Sequence, residues 1–249
     1  MDTAAYLARI AYGGDVRLDT QTLRRLHLAH LYTVPFENLD ISLGRPITCD
    51  ESRFLHKIVD LHRGGFCYEL NGAFAALLRK LGFQVTLLSA RVAREDGSAS
   101  PDFDHMALRV DLDEPWLADV GFGDSFLEPL RLDTEDAQEQ RGGPFRIVPA
   151  GDVMIVQRQL PDATWKSLFQ FTMQPHSLED FEPRCRYQQT SPESHFTRQR
   201  VCTLPTAEGR VTLSDLKLIC TTGGHREERM LYDEEEWRDV LLERFGVRL

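Results

Sequence analysis

The sequence predicts an α+β fold, and two changes of texture along the chain carry that expectation. Apolar residues recur at helical spacing through about the first eighty positions, and from Gln84 short runs bounded by Gly, Pro and Asp replace them. The last third then mixes a strand pattern with an acidic helical one.

Taken in order, Tyr6, Leu7, Ile10 and Ala11 share one face of a first helix, which Gly13 and Gly14 stop. A second helix opens at Asp19 or Thr20 and carries Leu23, Leu26, Leu28 and Leu31. Pro35 ends it, because the proline ring pushes Val34 out of the helical region. Cys67 begins a third, continued by Phe74, Leu77, Leu78 and Leu81. The runs 85–92, 105–112, 116–120 and 153–159 read as antiparallel strands of the kind that close into a barrel. A strand over 211–220 and an acidic helix over 233–244, with its charges on a solvated face, complete the chain, and no internal repeat is present.

The totals narrow the function. A chain of 249 residues with 42% hydrophobic and 27% charged residues is long enough to bury an internal site. A net charge of −10 opposes nonspecific attraction to nucleic acid or anionic membrane. The start, Met1 to Ala4, has no secretory pattern, and no stretch approaches the ~20 apolar residues of a membrane span, so the cytoplasm is the expected location. Cys49, Cys67, Cys185, Cys202 and Cys220 are odd in number and scattered, which fits reduced thiols and neither a disulfide framework nor a metal site.

One of these thiols stands apart. In Arg63-Gly64-Gly65-Phe66-Cys67-Tyr68-Glu69-Leu70-Asn71, a cysteine enters the first turn of a helix, where unpaired amides and the helix dipole favour thiolate and lower the pKa. The two glycines let a substrate approach the main chain, and nearby N–H groups could form an oxyanion hole. By itself the segment fits a turn followed by a buried cysteine equally well.

A nucleophilic thiol needs a base, and the base needs an orienter. His105 lies on the opposite strand face from Met106, Leu108 and Val110. If the following hairpin is centred on Leu112 or on Asp113, Asp119 falls opposite or diagonal to His105 on that face. A carboxylate there fixes the imidazole tautomer and favours the imidazolium that pairs with a thiolate. His27 and His30, one helical turn apart, lack any further ligand at metal spacing and read as helix surface or core edge. Gly121 and Gly123 form a bare G-x-G, and Phe122 and Phe126 suit either an apolar pocket or plain core.

Together these segments resemble the arylamine N-acetyltransferase family. Val34-Pro35-Phe36-Glu37-Asn38-Leu39 is similar to its N-terminal signature, 63–71 to its R-G-G-x-C-x-E-x-N motif, the His105 strand to its base strand, and Asp119-Val120-Gly121-Phe122-Gly123 to its D-V-G-F-G motif. The match spans about the first 130 residues. The resemblance implies an N-terminal helical bundle over 1–83, a central antiparallel β-barrel over 84–190 and a C-terminal α/β lid over 191–249. It implies Cys67 as nucleophile, His105 as base and acid, and Asp119 as orienter. The reaction implied is a ping-pong transfer of acetyl from acetyl-coenzyme A, through a Cys67 thioester, to an arylamine, arylhydroxylamine or arylhydrazine. Gly121, Gly123 and Ser125 would then lie near the coenzyme pyrophosphate and Phe126 near the acceptor ring. The sequence departs from the commoner pattern by placing Asp124 where a second glycine follows Phe122, and an acid there works against a pyrophosphate. The resemblance requires no metal, and it leaves homo-oligomerisation open.

Three other readings share these residues. An amide synthase of natural-product assembly has the same triad but takes its acyl group from a carrier protein, and a papain-like or transglutaminase-like hydrolase has the same Cys, His, Asp order. A binding module would use Cys67 only as a buried thiol.

Overall fold

In the computed structural model, which describes residues 2–249, the predicted helices lie where their signals place them. Helix α1 (Thr3–Arg9) is capped by Asp2, whose carboxylate accepts from the Ala4 and Ala5 amides. It stops before the Gly pair, because Ala11 already turns left-handed at φ 52°. Helix α2 (Thr20–Thr33) is capped by Asp19 and ends at Val34, as Pro35 requires. The short strand β1 (Phe36–Glu37) and the helices α3 (Leu39–Ser42) and α4 (Glu51–Leu55) follow, and a π turn at His56–Asp60 extends α4. Helix α5 (Cys67–Lys80) is the most deeply buried, with every residue from Cys67 to Leu78 inside.

The middle of the chain is a seven-stranded, wholly antiparallel sheet in the order β5-β4-β3-β2-β8-β7-β6. Its strands are β2 (Gln84–Val92), β3 (His105–Asp111), β4 (Pro115–Ala118), β5 (Leu130–Arg131), β6 (Phe145–Ala150), β7 (Val153–Gln159) and β8 (Trp165–His176). It curls into a nearly closed barrel, and one glutamine bridges the seam. The Gln138 backbone exchanges hydrogen bonds of 2.7 and 3.1 Å with Phe145 on β6. Its side-chain amide accepts from the Arg131 N–H on β5 at 2.8 Å and donates to the Arg131 carbonyl at 3.1 Å. The amide thus imitates a strand residue and satisfies an edge that would otherwise stay open. Strand alternation sorts the two faces. Met106, Leu108, Val110, Trp116 and Ala118 pack outward in one core with Leu70, Phe74 and Leu77 of α5. Ala107, Leu117, Phe126, Phe169 and Phe171 fill the barrel.

Beyond α6 (Glu182–Thr190) and α7 (His195–Arg198), a second sheet forms in the order β1-β9-β10-β11-β12. It comprises β9 (Val201–Thr206), β10 (Gly209–Ser214), β11 (Lys217–Thr222) and β12 (His225–Met230). The strand expected over 211–220 is instead two strands of a hairpin: Asp215 takes φ 48° between them, and Leu213 pairs with Leu218. The turn signal is Ser214-Asp215, since Asp tolerates the left-handed region, and the alternation of Val211, Leu213, Leu218 and Cys220 on either side hid it. Helix α8 (Glu234–Phe245) covers this sheet with Trp237, Val240, Leu241 and Phe245.

The motif at 34–39 joins all of this. The Glu37 amide donates to the Gly65 carbonyl at 2.8 Å, while Phe36 and Glu37 pair with Thr203 and Cys202 on β9. The Asn38 side chain donates to the carbonyls of Phe196 and Gln199 and accepts from the Val201 amide. Gly64 sits so close that a Cβ would lie 2.0 Å from the Pro35 carbonyl oxygen, which rules out any side chain there.

Beneath the motif lies a buried charge cluster. Arg63 donates to Glu37 at 2.7 Å and to Asp40 at 3.2 Å, and Lys57 lies 2.8 Å from both Asp40 and Glu69. Burial alone would pull Lys57 and Arg63 down in pKa, but the neighbouring carboxylates outweigh it and hold both up. With three acids to two bases, one acid is left poorly served. That acid is Glu69, pushed up by burial and by Glu37 despite the Lys57 contact. Removing a single base should therefore be severe, because uncompensated carboxylates would remain in the interior. Lys57→Met is expected to lower unfolding free energy by about 3–5 kcal/mol. Urea titration of the variant against the parent chain measures this, and a loss below about 1 kcal/mol would show the cluster to be dispensable.

Candidate active site

Helix α5 begins at Cys67 because Glu69 ties the first turn: its Oε2 accepts from the Phe66 amide at 3.1 Å while Oε1 is held by Lys57. The thiol is 4% exposed. The position at the helix start is as expected, but the direction of its pKa is not. Burial pushes the Cys67 thiol well up, and Asp104 and Asp119 add to that, while the Met106 and Tyr68 amides pull it down by less. Desolvation exceeds what a helix N-terminus supplies.

His105 and Asp119 are brought together by the hairpin. Asp111 pairs with Pro115 and Leu108 with Ala118, so the turn is centred on Asp113 and Asp119, one residue beyond β4, lies diagonal to His105 on the same face. His105 Nε2 is 2.6 Å from Asp119 Oδ2. Since a carboxylate only accepts, the ring proton sits on Nε2 and Nδ1 is the nitrogen not engaged by Asp119. Phe122 meets the imidazole edge-on with ring centres 5.1 Å apart, and Phe169 closes another side at 5.2 Å.

Two residues to which the sequence alone assigns no role fix Asp119 in place. Asn71 Nδ2 donates to Asp119 Oδ1 at 2.8 Å and to the Met106 carbonyl at 2.7 Å, and Asn71 Oδ1 accepts from the Val120 amide. Asn71 follows Cys67 by four positions, one turn along the same helix, and that spacing was the available signal. The second residue is His27. It is not at the helix surface or core edge: both it and His30 are fully buried. His27 donates through Nδ1 to the Leu127 carbonyl at 2.8 Å and accepts the Asp119 amide through Nε2 at 3.1 Å. The helical periodicity of Leu23 and Leu26 put His27 and His30 near the apolar stripe, but nothing in the sequence showed a partner 92 residues away.

A cavity of about 440 Å³ opens onto Cys67 and His105, walled by Phe36, Phe122 and Phe196, with Arg94 and Arg198 among its polar lining. His195, which carries no pattern in the sequence, also lines it. Of the predicted loop residues, Gly121 faces this cavity and presses on Cys67. A Cβ there would lie 2.8 Å from the Cys67 Cα. Gly123 instead packs near the Phe36 ring, and Ser125 lines a different cavity. Phe126, expected beside an acceptor ring, is buried in the barrel and stacks on His27 at 5.9 Å. It follows the exposed Asp124 and the half-buried Ser125, and the inward side of the barrel claims it. Phe122 takes the position facing the thiol's cavity.

Comparison with known proteins follows the same lines. A family model described as N-acetyltransferase matches residues 19–249. The arylamine N-acetyltransferase of Escherichia coli K12 is 36% identical across 97% of this chain and 87% of its own. The Mycolicibacterium smegmatis enzyme is 36% identical across 100% and 93%. This chain belongs to the arylamine N-acetyltransferase family. Solved structures of the family superpose closely. The arylamine N-acetyltransferase of Mycobacterium tuberculosis matches with a TM-score of 0.93 at 33% identity, covering 99% of this chain and 94% of its own. The Mycobacterium marinum arylamine N-acetyltransferase in complex with CoA matches at 0.91 and 32%, covering 99% and 93%. The α+β architecture with its barrel-like sheet is therefore the family's fold. Among the described residues no cluster of His, Cys, Asp or Glu is placed to hold a metal ion, and no helix is long and apolar enough to cross a membrane.

The buried His27 makes a testable link between site and stability. Burial draws its pKa down to about 4, against 6.5 for the free side chain, so between those values the unfolded chain binds the proton more readily. The stabilisation is complete above pH 6.5 and is lost as pH falls toward 4, by about 3 kcal/mol for this group. Urea midpoints measured across that window should fall in the parent chain and fall less steeply in His27→Asn. An identical slope in the two proteins would assign the acid loss elsewhere.

Proposed function

We propose that this arylamine N-acetyltransferase family member transfers acetyl from acetyl-coenzyme A to the nitrogen of arylamines, arylhydroxylamines or arylhydrazines, through a thioester on Cys67. The observation that carries the reading is a buried thiol and an Asp-held imidazole lining one cavity. Burial disfavours a free thiolate, so activation proceeds by transfer of the thiol proton to His105 Nδ1, and Asp119 supports the imidazolium at Nε2. The sulfur attacks the acyl carbon and coenzyme thiolate leaves, taking the proton from His105. The amine then attacks the Cys67 thioester, His105 removes the amine proton, and Cys67 departs as thiolate to be reprotonated. The Met106 and Tyr68 amides ease charge on the sulfur throughout.

Asn71 and His27 position the carboxylate, one through its side chain and the other through its main chain. The aryl ring of the acceptor meets the faces of Phe36, Phe122 and Phe196, an apolar wall that also keeps water from the acyl-enzyme. The Mycobacterium marinum relative solved with CoA supports the choice of donor. We read 1–83 as the part that brings the thiol, 84–190 as the part that brings His105 and Asp119, and 191–249 as the cover. Five free thiols suit the reducing cytoplasm.

Intact-mass analysis after acetyl-coenzyme A and before any amine should show one acetyl group, mapped to Cys67 and absent from Cys67→Ser. A chain that consumes the thioester without ever carrying the acetyl group would overturn the covalent route. Asp119→Asn is expected to lower kcat by about 10³–10⁴-fold, since the wrong tautomer would face the sulfur. Near-parent turnover in that variant would remove Asp119 from the mechanism.

A further inference from the structure

Two free thiols that take no part in the Cys67 cavity meet where distant parts of the chain touch. Cys185 is fully buried on α6, and Cys49 is half-buried in the segment that leads into α4. Glu182, Cys185 and Gln189 lie on one face of α6, and that face is laced to residues 47–49. Glu182 Oε2 accepts from the Cys49 amide at 2.7 Å. The Gln189 side chain accepts from the Ile47 amide at 2.8 Å and donates to the Ile47 carbonyl at 2.7 Å, as a neighbouring strand would. Between these two anchors, Cys185 Sγ lies 3.8 Å from the Ile47 carbonyl oxygen and 3.6 Å from Gln189 Nε2. Cys49 packs against the same core cluster as Cys185. A hydrogen bond shared with the Cys49 side chain is the first cause that pushes the Cys185 thiol up, and burial is the second.

The remaining thiols are placed differently. Cys202 and Cys220 belong to the C-terminal sheet, where they pair with Leu213 and Val211, and Cys67 opens onto its own cavity. Small apolar residues would fill the space between α6 and residues 47–49 as well as two thiols do. What the thiols add is the capacity to bond to one another.

We propose that Cys49 and Cys185 form an oxidisable dithiol, a modification site at which a peroxide joins α6 to the segment before α4 by a disulfide. Access sets the order of the steps. Peroxide reaches the half-buried Cys49 first: the sulfur attacks one peroxide oxygen, the O–O bond breaks, and Cys49 is oxidised to the sulfenic acid as water leaves. The Cys185 sulfur then attacks the Cys49 sulfur. The S–S bond forms, the S–O bond breaks, and the departing oxygen takes the Cys185 proton to leave as a second water. Two thiols and one peroxide thus give one disulfide and two waters, and a small-molecule thiol reverses the change by exchange. The anchors survive the reaction, because Glu182 and Gln189 hold main-chain groups of residues 47 and 49 and no thiol proton. The bridge also reaches beyond the two sulfurs. Arg184 and Gln188, on the same helix, hold the Asp104 carboxylate beside His105, and with Tyr187 they line the Cys67 cavity. Oxidation therefore pins one wall of that cavity to the N-terminal part of the chain.

Peptide mapping tests the site without reference to acetyl transfer. The full chain is treated with hydrogen peroxide, unfolded in iodoacetamide and digested without reductant. The map should contain a peptide linking Cys49 to Cys185, lighter than its two halves together by about 2 Da, and dithiothreitol should abolish it. Two of the five thiols should be closed to alkylation. The oxidised chain should also show a higher urea midpoint than the reduced one, since a bridge across so long a loop restricts the unfolded chain. Cys49→Ser should lose both the linked peptide and the rise in midpoint. The map of the parent chain decides the matter even if that variant folds poorly. Full alkylation of Cys49 and Cys185 after peroxide, whether or not Cys67 is modified, would overturn the proposal, as would a linked peptide joining either of them to another cysteine.

Discussion

The contact between Arg63 and Glu37 is the one on which the rest of the molecule turns. It draws the 34–39 segment against the Gly64-Gly65 turn, and the same guanidinium reaches Asp40 at the head of the next helix. Lys57 extends the network to Glu69, whose other oxygen sets the first turn of α5. A cluster with a surplus acid is a poor source of net stability, and apolar residues of equal volume could do as well or better energetically. What it supplies is placement. Each charge admits few partners in a dry interior, so the helix start that carries Cys67 is held in one register relative to the strand segment beside it.

Asp119 plays the same part on the other side of the thiol. One of its oxygens faces His105, the other takes Asn71 and the Gly121 amide, and its own N–H goes to His27. The carboxylate is thereby tied to α5, to α2 and to the loop that follows β4. Rotation of the imidazole or drift of the hairpin would break several bonds at once. The placement of His105 and Asp119 is thus set by neighbours outside the pair, Asn71 and His27.

Local signals made three N-terminal helices and four of the seven barrel strands legible, while α3, α4, β5, β6 and β8 carried no signal that was read. The opening at Asp19, the stop at Pro35, and the alternation through Met106, Leu108 and Val110 all act over a few residues, and the structure follows them. What the sequence concealed was long-range or costly. The hairpin at Asp215 turns on a left-handed aspartate between two short alternating stretches that read as one strand. The burial of His27 depends on Leu127 and Asp119, which lie 100 and 92 positions away. Phe122 and Phe126 could not be told apart as pocket or core until the barrel gave them an inside. The helix start marks the thiol, yet its pKa moves opposite to what that start implies, because desolvation is a property of the assembled interior and not of the segment.

Strand β1 has two residues, and its partners on β9 lie more than 160 positions later in the chain. A strand so short cannot persist alone. During synthesis, therefore, the ribosome will have passed Thr203 before residues 36 and 37 find their ladder. Until then Phe196 and Arg198, which help wall the thiol's cavity, cannot be in position. Cys67 is translated early and sheltered late, so the growing chain passes through an interval in which this sulfur has no roof.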